Sequence, residues 1–178
     1  MNVFILNTGR CGSTTFVKAC EHISNFSCAH ESRTHLLGAD RLNYPANHIE
    51  ADNRLSWLLG RLDKVYGADA VYVHLKRNVL KTATSFIKRY NRGIIRAYRG
   101  DGIIMRLPPV TDPLSVALDY CDTVNSNIEL FLKDKPNTIE FNLERVKQDF
   151  RVFWETIGAE GNIDDSLSEF ETFYNASI

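Results

Sequence analysis

The sequence has no stretch of 18 or more consecutive apolar residues, so no segment is long enough to cross a membrane as a helix. Its first apolar run, Val3 to Leu6, is too short for a secretory signal and lacks a basic leader, which sets the expectation of a cytoplasmic protein. The glycosylation sequons at Asn25 and Asn175 carry little weight in that compartment. Cysteine is scarce: Cys11, Cys20, Cys28 and Cys121 form no CxxC pair and no regular framework, as expected of reduced thiols. Among these cysteines and their neighbours His22, His30 and His35, only the His30 to His35 spacing loosely suits zinc, so no metal is expected. There is no internal repeat, low-complexity tract or linker. Neither charge sign dominates, with 21 Lys and Arg against 22 Asp and Glu.

The charges are nevertheless unevenly placed. From Lys76 to Arg106 there are nine basic residues and one acid, Asp101, while Glu140 to Glu171 holds nine acids and three bases. A basic middle in a neutral chain points to a local anion site and argues against a surface for nucleic acid. A solvated basic helix face would look the same in composition alone.

At 178 residues the chain fits one domain, 1–178, with room for a real core. Residues 2–7 read as a short buried strand, followed by a helix from Ser13 to about Ile23. Asp52 can cap a helix carrying Leu55, Leu58, Leu59, Leu62 and Tyr66, with Gly67 as its stop. "AVYVHLK" (70–76) is a second strand, followed by a helix from about Val79 to Asn91 that Gly93 ends. Asp112-Pro113 opens a long helix with Leu114, Ala117, Cys121, Val124, Ile128 and Phe131 on one face. "NTIEFN" (137–142) is a third strand, and Val146, Phe150, Phe153 and Ile157 mark a helix stopped by Gly158. Alternating strands and helices predict a three-layer α/β/α fold with a central parallel sheet, of the P-loop nucleotide-kinase kind. Ligands of such sheets sit at the carboxyl ends of the strands, where the opening loop and the segment after "VHLK" can face each other.

The opening "NVFILNTGRCGSTTF" runs from strand through a glycine turn into a helix, aiming backbone N–H groups and the positive helix end at one point. Gly9 and Gly12 allow close approach of an anion, Ser13, Thr14 and Thr15 offer hydroxyls, and Arg10 brings a permanent charge with bidentate reach. An ordinary glycine-rich connection is the plain alternative. A nucleoside triphosphate loop would need a lysine after Gly12, and no clear apolar strand ends in an Asp to hold magnesium. A phosphatase built on Cys11 would need an Arg six residues on, where Val17 stands.

"NTGRCGSTTF" resembles the 5′-phosphosulfate loop, P-[KR]-S-G-T-T, of sulfotransferases that use 3′-phosphoadenosine 5′-phosphosulfate (PAPS). Arg10 takes the Lys/Arg place, Cys11 the Ser, Gly12 the Gly and Ser13-Thr14 the Thr pair, while Gly9 replaces the usual Pro. "VYVHLKRNVLKTATSF" is similar to the family's 3′-phosphate element, with Arg77 leaving the strand and Ser85 eight positions later in the helix. "IEFNLERVKQDFRVFWETIGAEGN" looks like a late strand-plus-helix of many members, with Glu144 in an acidic turn of structural role. The resemblance implies a sulfotransferase moving a sulfonate group from PAPS to a hydroxyl or amine acceptor and releasing PAP, with Arg10, Cys11, Gly12, Ser13, Thr14, Thr15, Arg77 and Ser85 holding the nucleotide and no metal needed. Arg10 would also stabilise the leaving oxygen. In tyrosylprotein and many bacterial members a catalytic Glu lies about where Glu31 falls, in "CAHESRTH", 21 positions after Arg10. His30 and His35 are the alternatives for that base.

The basic, aromatic stretch "SFIKRYNRGIIRAYRGDGIIMR" reads as a substrate-side loop or lid carrying Arg92, Arg96 and Arg99. The chain is short for the family. That implies reduced acceptor-covering insertions, with either an open site for a large acceptor or help from a second subunit in a homo-oligomer. A divergent kinase or NTPase, or a nucleotide-binding relative without catalysis, remains as the other reading. The acceptor, whether sugar, lipid, peptide or small molecule, is not legible.

Overall fold

A computed structural model describes residues 1–172; the sequon at Asn175 lies outside the described residues. Five strands form one wholly parallel sheet in the order β2-β3-β1-β4-β5. They are β1 (Asn2–Leu6), β2 (Ser27–His30), β3 (His48–Ala51), β4 (Ala70–Lys76) and β5 (Thr138–Asn142). Strands β1 and β4 are mostly apolar because both their faces are covered. Val3, Ile5, Val71, Val73 and Leu75 pack on one side with α1 (Ser13–Cys20) and α6 (Val146–Ile157). Phe4, Leu6 and Tyr72 pack on the other with α2 (Leu59–Tyr66), α3 (Val79–Ile87) and α5 (Pro113–Leu132). This is the expected three-layer α/β/α fold, with a parallel sheet between two helical layers.

The chain leaves β1 toward β2 on one side of the sheet and later places β4 on β1's other side. The loop after β1 therefore lies at the topological switch point, where side chains of neighbouring connections can reach it.

Several boundaries differ from the sequence expectation. Helix α1 stops at Cys20, and α3 stops at Ile87. Beyond Ile87 the N–H groups of Arg89, Tyr90 and Arg92 bond carbonyls three residues back, tightening the chain into turns before α4 (Gly93–Ala97). Gly93, expected as a stop, instead starts that short helix with φ +59°. Asp52 caps as expected, but what it caps is a 3-10 turn, Asn53–Trp57, placed before α2. Strands β2 and β3 were not anticipated. Strand β2 has no fully buried residue, and "HIEA" in β3 interrupts its apolar face with His48 and Glu50. Both polar side chains are buried, satisfied by Ser27, Ser32 and each other.

Candidate functional site

The turn after β1 is held from behind. Asn7, fully buried, donates its amide to Ile5 O (2.9 Å) and accepts from the Gly9 N–H (2.8 Å) and the Cys11 thiol (3.4 Å). The Tyr120 hydroxyl on α5 donates to Thr8 O (2.7 Å), and Ser56 Oγ donates to Asn7 O (3.2 Å). Three of the four residues 9–12 have positive φ: Gly9 +82°, Arg10 +58° and Gly12 +91°. Successive residues in such conformations turn their N–H groups toward a common concavity, the geometry of an anion nest. Glycine is required twice over. A Cβ on Gly9 would lie 2.5 Å from Asn53 Nδ2, and one on Gly12 would sit 3.0 Å from both methyls of Leu143. Gly12 is also the N-cap of α1 and brings no side-chain cap, so the N–H groups of Ser13, Thr14 and Thr15 open the helix toward that concavity.

Two segments far apart in sequence converge here. Arg10 Nε donates to Ser85 Oγ on α3 at 3.0 Å, and Arg77 Nη1 donates to Arg10 O at 3.1 Å. The segment Leu143-Glu144 touches both: Leu143 faces Gly12, and the Glu144 carboxylate accepts from the Asn78 N–H (3.0 Å) beside Arg77. Asn78 in turn caps α3 through the Lys81 N–H, which fixes where the helix carries Ser85. Burial, then the positive charges of Arg89 and Arg77, pull Arg10 below the usual arginine range. Three guanidinium groups thus act on one place. Arg89 stands four residues after Ser85, just past the end of α3, a position the sequence reading did not single out.

Cys11 is buried with its thiol turned to Asn7, and burial pushes it up to about 12, against the pull of backbone N–H groups of the loop. A thiol so protonated is no nucleophile. Its place in the loop is backbone plus a small side chain filling the core under α1.

Glu31 lies one residue beyond β2, at the same carboxyl edge of the sheet, with φ +52°. Its N–H donates to Ala51 O (3.0 Å), and its carboxylate pairs with Arg54 at 3.0 Å. Glu31 is joined to the loop through neighbours: Arg54 also donates to Asn53 Oδ1 (3.4 Å), and Asn53 lies against Gly9. His30 is closer, its Nε2 3.0 Å from Ser13 Oγ in the first turn of α1. His35 sits in the following turn, and no hydrogen bond links it to the loop among the described residues.

Asp52 follows directly on β3, the strand beside β1, but with His48 and Glu50 in it β3 is not a clear apolar strand ending in an Asp. The buried polar residues of "HIEA" hid that strand in the sequence. The Asp52 carboxylate is already engaged, by the buried Arg41 guanidinium and by the Arg54 N–H at 2.8 Å, and so is not turned toward the loop as a metal ligand would be. Asn7, Asn53, Ser56 and Tyr120 also organise the site, and none was foreseen. Asn7 acts through three local hydrogen bonds, and Asn53, Ser56 and Tyr120 through contacts that only the folded chain creates.

No protein-family model and no curated protein sequence matches the chain. Among solved structures it is similar to mouse sulfotransferase SULT7A1, crystallised in complex with PAP. The TM-score is 0.61 at 16% identity, and the match covers 96% of this chain but 62% of the mouse protein. At that identity the likeness is one of fold: this chain has the three-layer sheet architecture on which the mouse enzyme is built.

Proposed function

We propose that the chain is a PAPS-dependent sulfotransferase of one domain, transferring a sulfonate group to a hydroxyl or amine acceptor and releasing PAP. The observation that carries the reading is the Arg10–Ser85 hydrogen bond together with the Arg77 to Arg10 carbonyl bond. These join the two motifs whose family counterparts hold the two ends of the nucleotide. The likeness in fold to a PAP-bound sulfotransferase supports it.

The residues suit such a donor. A glycine nest and an α1 N-terminus without a side-chain cap offer N–H donors to the 5′ side, and Arg77, Arg89 and Ser85 gather positive charge and a hydroxyl for a 3′-phosphate. PAPS supplies an activated sulfonate whose leaving group is a phosphate oxygen. Arg10, fixed on Ser85 and half-buried, stabilises negative charge at that oxygen without a metal. Cys11, Gly12, Ser13, Thr14 and Thr15 act through the loop and the first turn of α1. Glu31 accepts the acceptor's proton, and the ion pair with Arg54 fixes the position of its carboxylate. Arg10 and Glu31 both keep a left-handed backbone that side chains rarely adopt, as strained functional positions often do.

Thermal unfolding with PAP, PAPS, ATP plus magnesium and sulfate tests this directly, since a ligand that binds the folded chain raises its melting temperature. PAP and PAPS should stabilise, and Arg77→Ala with Ser85→Ala should abolish that shift while leaving the unliganded melt near its original value. Stabilisation by ATP with magnesium but none by PAP overturns the reading in favour of a divergent kinase. Binding of PAPS without turnover of any acceptor would favour a non-catalytic relative.

A further inference from the structure

Between α4 and α5 the chain makes an outward excursion, residues 98–111, at the same end of the sheet as the glycine loop, because α5 runs antiparallel to β4 and starts at its carboxyl end. It is tied down from within. Tyr98 is buried against Tyr120, its hydroxyl donates to Asp119 (2.5 Å), and the N–H groups of Ile103 and Ile104 both bond Tyr98 O. Ile104 and Leu107 pack on the core below. Three apolar side chains of the excursion face outward instead: Ile103 is 54% exposed, Met105 72% and Val110 93%.

Single exposed apolar side chains are common and need no explanation. Here three fall within eight residues on one projecting turn, beside the exposed cations Arg92, Arg96 and Arg106, none of which makes an ion pair among the described residues. The nearby carboxylates are exposed, but each is engaged by a hydrogen bond from the chain itself. Asp101 accepts from the Arg106 N–H, Asp112 from the first N–H groups of α5, and Asp119 from Tyr98. Arg99, expected as part of a lid, lies over the Tyr90 ring at 4.0 Å and donates to Tyr90 O, so it braces the excursion from behind.

We infer that this rim docks on an anionic lipid bilayer, with Ile103, Met105 and Val110 entering the headgroup boundary and Arg92, Arg96 and Arg106 meeting the negative headgroups. Apolar tips ringed by cations match that chemistry on both counts. A soluble acidic polymer would use the cations and leave the apolar tips in water. The inference does not depend on the nucleotide reading. If both hold, the mouth of the site faces a membrane and an acceptor hydroxyl can come from a lipid.

Flotation of the full chain with vesicles of phosphatidylcholine alone, and of phosphatidylcholine mixed with phosphatidylserine, decides it. The chain should float with the mixed vesicles and much less with phosphatidylcholine alone. A triple variant Ile103→Ser, Met105→Ser, Val110→Ser should weaken that partition about tenfold, and Arg92→Gln, Arg96→Gln, Arg106→Gln by at least about as much, more so at low salt. These side chains are exposed, so both variants should melt as the parent does and keep any stabilisation by PAP. No flotation with mixed vesicles overturns the proposal, as does self-association of the parent without vesicle binding. A serine variant that floats like the parent while the glutamine variant does not would reassign the rim to acidic polymers.

Discussion

The two halves of the sheet are built by different means. The half around β1, β4 and β5 is apolar on both faces of its central strands apart from His74, and its functional groups are carried on the connections at its carboxyl edge: the glycine loop, Arg77 and Leu143-Glu144. The half around β3 and β2 buries charge within the sheet itself. Glu50 is fully buried and held by Ser32 and His48, and Asp52 is fully buried and held by Arg41 and the Arg54 N–H. A rigid apolar platform positions the proposed donor site, and a network of buried polar pairs positions Asn53, Arg54 and Glu31 on the proposed acceptor side. Such a network is costly to break singly, because each lost partner strands another group away from water. Precision on the first side comes from packing, and on the second from mutual satisfaction of charges.

The largest expected effect separates chemistry from nucleotide binding. Glu31→Gln keeps size and hydrogen bonding but removes the proposed base, so turnover of PAPS to PAP with an acceptor found by screening should fall about 10²–10⁴-fold. The PAP-induced rise in melting temperature should stay as it was, since Glu31 belongs to the other half. Unchanged turnover would move the role to His30, whose Nε2 faces Ser13, and His30→Asn would then carry the loss. Next in size is the buried pair under that half. Arg41→Met leaves the Asp52 carboxylate unpaired in the interior, which should cost about 3–5 kcal/mol in denaturant unfolding. Adding Asp52→Leu should recover part of that stability, because the stranded charge goes with it. A loss no larger than that of an exposed ion pair would mean the polar network contributes little, and the contrast between the halves would fail.

The same contrast explains what was legible in the sequence. Strands β1, β4 and β5 and helices α5 and α6 announce themselves through the largely apolar runs of β1 and β4, the alternating Ile139 and Phe141 of β5, helical spacing of Val124, Ile128, Phe150 and Phe153, and end signals at Asp112 and Gly158. Arg10, Arg77 and Ser85 were legible as candidates because their spacing is local and chemically specific. That they meet was only an expectation, and the fold brings them within hydrogen-bond distance. Strands β2 and β3 were hidden because the pattern that marks a buried strand is apolar, and His48 and Glu50 become acceptable inside only once Ser27 and Ser32 come alongside. For the same reason the partnership of Glu31 with Arg54, 23 positions away, had no local trace.

The smallest predicted effect tests whether the apolar half tolerates a charge at all. His74 is a buried polar residue of β4, its Nε2 3.1 Å from Asn125 Oδ1 on α5, and burial holds its pKa below the usual histidine value of 6.5. Below that value the unfolded chain takes up a proton that the folded chain resists. The stabilising contribution is therefore complete above about pH 6.5 and is lost as pH falls toward the depressed folded value, at no more than about 1.4 kcal/mol per pH unit. Unfolding free energies measured from about pH 7.5 down to 5.5 should decline along this limb, and His74→Gln, which retains an amide donor for Asn125, should flatten it. An acid limb equally steep in the variant would place the titrating group elsewhere. It would also mean that the platform beneath the glycine loop admits a proton on β4 without penalty, contrary to a half whose precision rests on dry packing.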